Sequence, residues 1–448
     1  MSAKKIQQAT ISPDTFFYTI PLQRPNLRLT RGELDQHYPA KGRKMYMGNH
    51  CDYISYERGI VTIEVKLNDE TKHRVFMHAE PDELHVACSC AMPGERLCLH
   101  AYIGLHDMVW RDYFDFERFY WPGYDSDEKT RRKFFYVQVD NKRIIVEPKS
   151  RYGNIFRPNI GFLDNKHLSI NEQAVTTVDT NSSGTEVIAF CVCYSLGSYF
   201  HSHLPIIMPC LAKTSKDGKV VKSMVQFSTD KKPVTKIALT ANQSLLKDIS
   251  LKQYELARHW DKLSKTEAEN QITAVKENLF ALWREAFPLL VQEKFCCAYH
   301  LYWLKYLNQK PRATCFRVCK FSEDKPVLSF VLKFYGDHFL LVAEVHVNGE
   351  LLNTNDWTKK PPVVLFDDKN GLCYLMQSIQ DDDLFWWMVT TNSRLTILKE
   401  HFIEFHYTFL DQLSRCYKVS FVGNPGKKNR YAFDNVLRET SILKPTIL

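Results

Sequence analysis

The stretch Glu83-Leu-His-Val-Ala-Cys-Ser-Cys-Ala-Met-Pro-Gly-Glu-Arg-Leu-Cys-Leu-His100 brings three thiols and an imidazole together within thirteen residues. Cysteine sulfur and histidine nitrogen are the ligands of tetrahedral zinc sites, and a closed set of four such ligands is structural rather than catalytic. Such an ion would tie neighbouring elements together and decide the local fold. The sequence therefore predicts one structural zinc ion, Zn(2+), and its ligands are Cys88, Cys90, Cys98 and His100.

The spacing of the ligands also predicts the elements that carry them. Residues 85–90 have the composition of a strand, in which residues i and i+2 point to the same face, so the first two cysteines can bind one ion. Pro93-Gly94 indicates a turn, and residues 97–110 are typical of a helix. The alternative is three buried reduced thiols and a surface histidine. Four ligands at these offsets are hard to obtain by chance, which favours zinc.

The order C-x-C, seven residues, C-x-H resembles the SWIM zinc finger, whose pattern is C-x-C, a variable gap and C-x-H. The three cysteines and the histidine fill all four ligand positions. Residues 83–86 and Ala101-Tyr102 also resemble the strand and the helix that flank the ligands in that family. The resemblance covers thirteen of 448 residues. It implies a zinc protein that interacts with DNA or with another protein, without deciding between them.

The composition describes a globular protein with a mild positive charge. The chain has 44% hydrophobic and 25% charged residues and a net charge of +8, which permits an anionic partner without requiring one. Thirteen cysteines, an odd number, and an N-terminus without an apolar signal favour a reducing compartment, cytoplasmic or nuclear. No run of eighteen apolar residues is present, so we expect no membrane span.

The order of patterns predicts an α+β fold with a zinc-finger module, a β-rich segment, a helical block and a C-terminal mixed α/β unit. A protein of this length should contain two or three cores. The expected borders are 1–125 for the N-terminal β-rich region with the finger, 126–240 for a β-rich domain, 241–312 for the helices, 313–425 for the C-terminal unit and 426–448 for a basic tail.

Individual elements follow from hydrophobic periodicity. Hairpins are predicted around Asn141 and Asn370-Gly371, and helices over 244–262, 265–287, 288–308 and 398–415. Residues 386–391 have the pattern of a strand, and residues 126–133 that of a charged linker. The aromatic run 110–121 is expected to pack under the zinc site. Phe295, Tyr299, Tyr302 and Tyr306 form a helical stripe, which favours a core face over a surface that stacks bases.

The second half of the chain also resembles, at the level of its pattern, the region that follows the SWIM finger in bacterial Snf-type helicases. In those proteins an ATPase motor comes afterwards, whereas this sequence ends where the motor would begin. A G-x-x-x-x-G-K-[ST] loop is also missing from the sequence. We therefore expect no enzyme activity and an adaptor that binds DNA or RNA, a protein partner such as a Snf-type ATPase, or both. A scaffold that docks a protein without nucleic acid is the alternative.

Phosphate contacts are expected from basic runs at 41–44, 129–133, 213–222 and 427–430, although solvated surface is the more ordinary explanation of such runs. Three consecutive cations directly follow the zinc module and are the preferred nucleic-acid-binding residues. Phe134 and Phe135 beside them are expected to pack rather than to stack on bases. The chosen cations are Arg131, Arg132 and Lys133.

Other candidate sites are weaker. The acidic runs Asp367-Asp368 and 381–383 could hold a cation in a metal-dependent nuclease, a distant alternative, but adjacent carboxylates in loops usually lie on solvated surface. Asp337 with Glu344 and His346 is an even looser match to a nuclease. His201 and His203 could form a second metal site. His85 and His106 flank the finger and could contact its ligands.

Overall fold

The structure is a computed structural model that describes most of the chain. The described residues are 18–23, 27–38, 50–67, 71–90, 95–111, 115–160, 186–193, 203–229, 232–233, 237–263, 269–299, 307, 309–352, 363–389 and 393–422. The basic runs 41–44 and 427–430, the tail 426–448, His201, Tyr302 and Tyr306 lie outside them, as does the predicted turn at Pro93-Gly94.

The N-terminal part consists of short strands, three helices and a separate hairpin. Its elements are β1 (Tyr18–Pro21), α1 (Arg31–Gln36), β2 (His50–Glu57), β3 (Ile60–Lys66), β4 (His73–Glu80), β5 (Glu83–Cys88), α2 (Leu99–Trp110), α3 (Glu128–Phe134), β6 (Phe135–Asp140), β7 (Arg143–Pro148) and β8 (Asn154–Ile155). The hairpin β6–β7 turns at Asn141, as predicted. The expected linker 126–133 is instead mostly helical, because Asp127 caps α3 by accepting the amide proton of Thr130.

Strands β2 to β5 form consecutive antiparallel hairpins, and β1 completes the sheet in the order β1-β5-β4-β3-β2. Alternate side chains of these strands are buried, and helix α2 packs on β3 and β4. The first hairpin turns at Gly59, whose φ of +75° favours glycine and where a Cβ atom would lie 3.0 Å from the His78 ring. The predicted aromatic packing is largely confirmed, since Phe116 and Phe119 are buried in the same core as Cys88, whereas Trp110 is exposed.

The middle of the chain contributes β9 (Glu186–Cys193), β10 (Ile206–Thr214), β11 (Val221–Phe227), α4 (Ala241–Leu263), α5 (Glu269–Gln292), β12 (Cys296–Tyr299) and β13 (Phe316–Phe321). The two long helices confirm the first predicted helix and most of the second. Helix α5 runs through Pro288 to Gln292. The predicted helix 288–308 is wrong at β12, because pairing with β9 and β13 on its two sides buries all four of its residues.

The C-terminal part contains β14 (Val327–Phe334), β15 (His338–Val347), β16 (Glu350–Leu351), β17 (Val364–Asp367), β18 (Leu372–Leu375), α6 (Ile379–Val389), β19 (Arg394–Leu398), α7 (Phe402–Phe405), α8 (Asp411–Cys416) and β20 (Lys418–Val422). A π-helical turn joins α7 to α8, and the predicted helix 398–415 is thereby confirmed with an irregular centre. The predicted strand at 386–391 is wrong over 386–389. These residues belong to α6, which begins where the Ser378 hydroxyl accepts the amide proton of Asp381.

Two large sheets organise the rest of the protein. One has seven strands in the order β11-β10-β9-β12-β13-β18-β17, and α4 packs on β10 while α5 packs on β13. The other has six strands in the order β20-β14-β15-β19-β8 with β16 beside β15, and its inner face lies on α6 and on the helical segment 402–416.

The sheets cross the expected domain borders. The seven-stranded sheet takes strands from the segments predicted as 126–240, 241–312 and 313–425. The six-stranded sheet joins β8, from the segment predicted as 126–240, to strands of the segment predicted as 313–425. The predicted segments are therefore not separate sheets, whereas the predicted α+β class is confirmed. No helix in the described part of the chain combines the length and the apolar character needed to cross a bilayer.

Candidate metal centre

The strand side of the centre is the end of β5. Cys88 is its last residue and lies opposite Val75 of β4, which places the thiol beside the buried face of the sheet. The next amide, that of Ser89, donates to the Arg74 carbonyl at 2.9 Å and continues the pairing. Cys90 follows as a half-buried residue. The alternation expected of a C-x-C strand end therefore brings both thiols to one place.

The helix side of the centre is the start of α2. Cys98 is the residue that caps this helix, and its sulfur accepts the amide proton of Ala101 at 3.3 Å. The cap fixes the direction of the Cys98 side chain, and His100 follows in the first turn. A helix N-terminus also favours negative charge, so this position suits a thiolate.

The four predicted ligands come together. The sulfur atoms of Cys88, Cys90 and Cys98 and a ring nitrogen of His100 all lie within 4.8 Å of one another. Among the described residues this is the one group of three or more His, Cys, Asp and Glu side chains that meets this criterion. Three sulfur atoms and one imidazole in such a cluster could hold a metal ion.

The surroundings of His100 fit a metal ligand. Both ring nitrogens are buried, and neither has a hydrogen-bond partner among the described residues. A buried polar atom without a partner costs free energy, on the order of 1–3 kcal/mol. A coordinated metal ion would satisfy one of these nitrogens, so the orphaned imidazole is an independent sign that the cluster is a binding site.

The thiols of the cluster influence one another. A hydrogen bond from Cys88 and the Ala101 amide help to lower the pKa of Cys98 to about 5, although burial opposes this shift. The same contact with Cys98, together with burial, raises the pKa of Cys88, and burial raises the pKa of Cys90. The hydrogen bond between Cys88 and Cys98 thus favours the thiolate form of Cys98, and a bound metal ion would allow all three sulfurs to ionise.

His73 is a part of this centre that the sequence analysis missed. Its ring lies 4.0 Å from the ring of His100, centroid to centroid, at an interplanar angle of 36°. Ser89 lies against it, because the Ser89 hydroxyl is 3.4 Å from His73 Nδ1 and accepts the Arg74 amide proton at 2.9 Å. The pairing of β4 with β5 could have indicated His73. The antiparallel register that pairs Val75 with Cys88 places His73 beside Cys90 when it is extended by two residues.

The two histidines proposed to contact the ligands lie in the same region. His85 of β5 has Nδ1 3.2 Å from the Thr19 hydroxyl and Nε2 3.7 Å from Glu83. His106 is buried on α2, with its ring 5.9 Å from that of Tyr102. In these contacts both serve the packing of the sheet and the helix, whereas the ring of His73 lies against that of His100.

The three cations chosen as nucleic-acid contacts occupy the last turn of α3, and their surroundings differ. Arg131 turns inward, donates to the Tyr56 carbonyl at 2.7 Å and lies 3.6 Å from the buried carboxylate of Asp125. Lys133 contacts Asp337. The Arg132 side chain is 77% exposed. Arg131 thus has a structural role, and Arg132 is the one best placed to meet a phosphate.

The neighbouring aromatic residues are core residues. Phe134 and Phe135 are 1% and 2% exposed, so the expectation that they pack rather than stack on bases is confirmed. Within the remaining basic run, 213–222, the lysines lie on the exposed ends of β10 and β11 and the turn between them.

Of the two acidic runs, Asp367-Asp368 lies in an exposed turn as expected, whereas 381–383 does not form a hydrated surface. Asp382 is fully buried in α6 beside Lys276, and Asp381 accepts a hydrogen bond from Tyr417 at 2.6 Å. Burial raises the pKa of Asp382 to about 6. The prediction of a solvated loop is therefore wrong, because residues 381–383 belong to a helix that packs between two cores.

The other weak candidates have local roles. Asp367 accepts amide protons from Lys369 and Asn370 within its hairpin turn. Asp337 accepts from His338 at 2.7 Å, and His203 Nδ1 lies 2.6 Å from the Leu204 carbonyl oxygen. These contacts stabilise turns and chain ends.

Comparisons with models of protein families, with curated proteins and with solved structures found no match to this chain.

Proposed function

We propose that this chain is a zinc-stabilised, SWIM-type adaptor without enzymatic activity, and that it engages nucleic acid. The observation that supports the proposal best is the cluster of three sulfur atoms with a buried imidazole that lacks a hydrogen-bond partner among the described residues. Four protein ligands leave no open position for a substrate, which is typical of structural metal sites.

Zinc is the metal that suits this ligand set. Sulfur-rich tetrahedral sites select zinc or iron–sulfur clusters, and a single histidine with three thiolates is a common structural zinc set. Cys88 and Cys90 would hold the ion from the strand, and Cys98 and His100 from the helix. The ion would supply a cross-link between β5 and α2, and its binding free energy would contribute to folding.

Binding of nucleic acid is supported by charge rather than by a base-reading motif. The net charge is +8, and Arg132 in the last turn of α3 presents a side chain that is 77% exposed. Contacts from an exposed cation address phosphates and are insensitive to sequence. An ATPase of the Snf type remains the proposed protein partner, for which this chain would act as a companion that supplies binding without hydrolysis.

A protein-only scaffold is the second candidate, and one observation favours it. Trp110, the last residue of α2, is 72% exposed, and Tyr407 is 75% exposed. Large aromatic side chains at the surface are typical anchors of protein interfaces. A metal-dependent nuclease remains a distant third, since the acidic residues proposed for it lie in ion pairs and turns.

Elemental analysis of the purified chain tests the metal. We expect about one zinc per chain, as in structural sites with four protein ligands, and loss of the zinc in Cys98→Ser. A matched control is Cys315→Ser, which removes another half-buried thiol that lies outside the cluster and should keep the metal. Wild-type protein that is fully folded without metal would contradict the proposal.

Salt-dependent binding separates the two candidate functions. Phosphate contacts release counterions, so an adaptor should lose affinity for DNA or RNA as salt rises from about 50 to 200 mM. If the chain shows no such affinity for any single- or double-stranded probe, the protein-only scaffold is the function that remains. Turnover of ATP or cleavage of the probe, abolished by a substitution in this chain, would contradict the absence of enzymatic activity.

A further inference from the structure

Five cations from three separate parts of the chain lie together on one surface of the protein. They come from the end of α3, from the segment that follows β7 and from the start of β19. We call this surface the cationic strip, and its members are Arg132, Lys133, Lys149, Arg151 and Arg394.

Direct contacts connect the strip. Lys149 Nζ donates to the Arg132 carbonyl, and Arg151 donates to the Lys133 carbonyl at 3.3 Å. Arg394 in turn donates to the Arg151 carbonyl at 3.3 Å. The last carbonyl groups of α3 carry the negative end of the helix dipole, and two cations donate hydrogen bonds to them. The cations are held side by side although 262 positions separate Arg132 from Arg394.

The strip carries more positive than negative charge. Arg132 has Glu128 as a partner and Lys133 has Asp337, and these are exposed pairs that water screens. Lys149, Arg151 and Arg394 make their contacts to backbone carbonyls, which neutralise no charge. Arginine has five N–H donors in a planar fork, so one donated bond leaves donors for a phosphate.

An exposed aromatic ring lies at the edge of the strip. Tyr335, at the turn between β14 and β15, is 43% exposed. One face of its ring stacks on His338, with centroids 5.0 Å apart and an interplanar angle of 6°. His338 also contacts the rings of Phe134 and Tyr152, which are the chain neighbours of Lys133 and Arg151. The ring is therefore supported from below and borders the cations.

A row of cations beside a supported aromatic ring is the combination that binds single-stranded nucleic acids, where cations follow the backbone and bases stack on aromatic side chains. We propose that the cationic strip binds the phosphodiester backbone of a single-stranded nucleic acid and that Tyr335 stacks on one of its bases. This inference rests on the proposed function. The binding site expected from the sequence consisted of the consecutive residues 131–133, whereas the cationic strip is assembled from three parts of the chain.

The test uses the full chain and fluorescent oligothymidylate and oligouridylate of about 20 nucleotides, long enough to span one site of this kind. The variant Arg132→Gln, Arg151→Gln, Arg394→Gln removes three charges and keeps most of each side chain. We expect at least tenfold weaker binding and a salt slope lower by about two, from three lost contacts to a single strand. Similar losses for both probes indicate backbone recognition, whereas a loss confined to one probe assigns the strip to DNA or to RNA.

The matched control removes three exposed charges of helix α4, through Lys252→Gln, Arg258→Gln and Lys262→Gln. Its affinity should stay within about twofold of that of the wild type, because distant exposed charges are screened. Tyr335→Ala should weaken binding about fivefold or more, and Tyr335→Phe should retain it, because stacking needs the ring rather than the hydroxyl. Unchanged zinc content and melting temperature in each variant show that the fold is intact.

The possible failures are distinguishable. The wild type could bind the oligonucleotides while the strip variant binds as tightly as the wild type or the control variant. In that case the assignment of binding to the strip is wrong and the proposed function stands. If a duplex of the same length binds more tightly than the single strands and Tyr335→Ala has no effect, the assignment to single strands is wrong. If the wild type binds none of the probes, both the strip and the nucleic-acid function fail.

Discussion

The sheet that carries the candidate metal centre and the seven-stranded sheet are built in opposite ways. In the first, β2 to β5 follow one another as hairpins, and the Cys/His cluster joins the last strand to the following helix. In the second, the parallel pairs β9–β12 and β13–β18 join segments about 100 and 50 residues apart. The first region depends on local pairing and on four ligands, whereas the second depends on a large apolar core.

Cysteine has a different role in each region. Seven cysteines are buried in the core of the seven-stranded sheet, among them Cys191, Cys296 and Cys297. Burial raises the pKa of Cys296 and Cys297, and a hydrogen bond with Cys210 together with burial raises the pKa of Cys191, so these thiols remain neutral apolar residues. In the candidate metal centre the thiols are less deeply buried and meet an imidazole. The same residue type therefore supports packing in one sheet and forms a candidate metal site in the other.

Removal of the metal should give the clearest difference between the two regions. Structural zinc contributes on the order of 10 kcal/mol to small zinc domains, because the unfolded chain lacks a preformed site. After treatment with a chelator, amide hydrogen exchange should accelerate at least tenfold, about 1.4 kcal/mol, in Glu83–Cys88 and Leu99–Trp110. The strand Ile206–Thr214 should exchange as before.

Equal acceleration in both sheets would mean that the metal stabilises the whole chain. No acceleration in either would mean that β5 and α2 are held by packing alone. The region around the candidate metal centre does have a substantial core of its own, which includes Phe116 and Phe119. For that reason we expect local loosening around the ligands rather than complete unfolding.

A substitution in the seven-stranded region should have the reverse effect. Trp283 of α5 is fully buried, and its indole N–H donates to the Pro205 carbonyl at 2.6 Å. Trp283→Ala should lower the free energy of unfolding by about 3–5 kcal/mol, because it leaves a cavity and an unpaired carbonyl. Thermal unfolding measures the loss, and elemental analysis should find the zinc content unchanged. Concurrent loss of metal would show that the two regions fold together.

The difference in construction explains what could be predicted from the sequence. The metal ligands, the hairpins at Asn141 and Asn370-Gly371 and the long helix α4 follow from neighbours within a few residues. Strand β12 was predicted as a helix because its burial results from β9 and β13, which pair with it from distant parts of the chain. Non-local pairing leaves no periodic signal in the sequence of the strand itself.

The candidate site shows the same limit on a smaller scale. The four ligands lie within thirteen residues and were predicted, whereas His73 reaches His100 only through the register of β4 and β5. The acidic run at Asp382 was predicted as hydrated because charge usually lies at the surface. Its partner Lys276 lies on another helix, more than 100 residues away, and the pair becomes visible only once α5 and α6 meet.

The last prediction concerns two adjacent arginines that the sequence cannot distinguish. Arg131 lies beside Asp125, whose side chain is 2% exposed and accepts the Gly59 amide proton at 2.5 Å, whereas Arg132 is exposed. Arg131→Gln should cost about 2 kcal/mol of stability at neutral pH, because it leaves a buried carboxylate without its ion-pair partner. Arg132→Gln should change stability by less than about 0.5 kcal/mol.

The dependence on pH identifies the cause. Burial raises the pKa of Asp125 to about 6, against the opposing effects of Gly59 and Arg131. A carboxyl group whose pKa is raised in the folded state stabilises the protein below its unfolded pKa, and this contribution is lost as the pH rises through about 6. Without Arg131 the pKa of Asp125 in the folded state should rise further and the total loss should be larger, so the cost of Arg131→Gln should be small at pH 5 and large above pH 7. Denaturant unfolding at both pH values measures this difference, and an equal cost at both would show that Arg131 contributes through packing and not through Asp125.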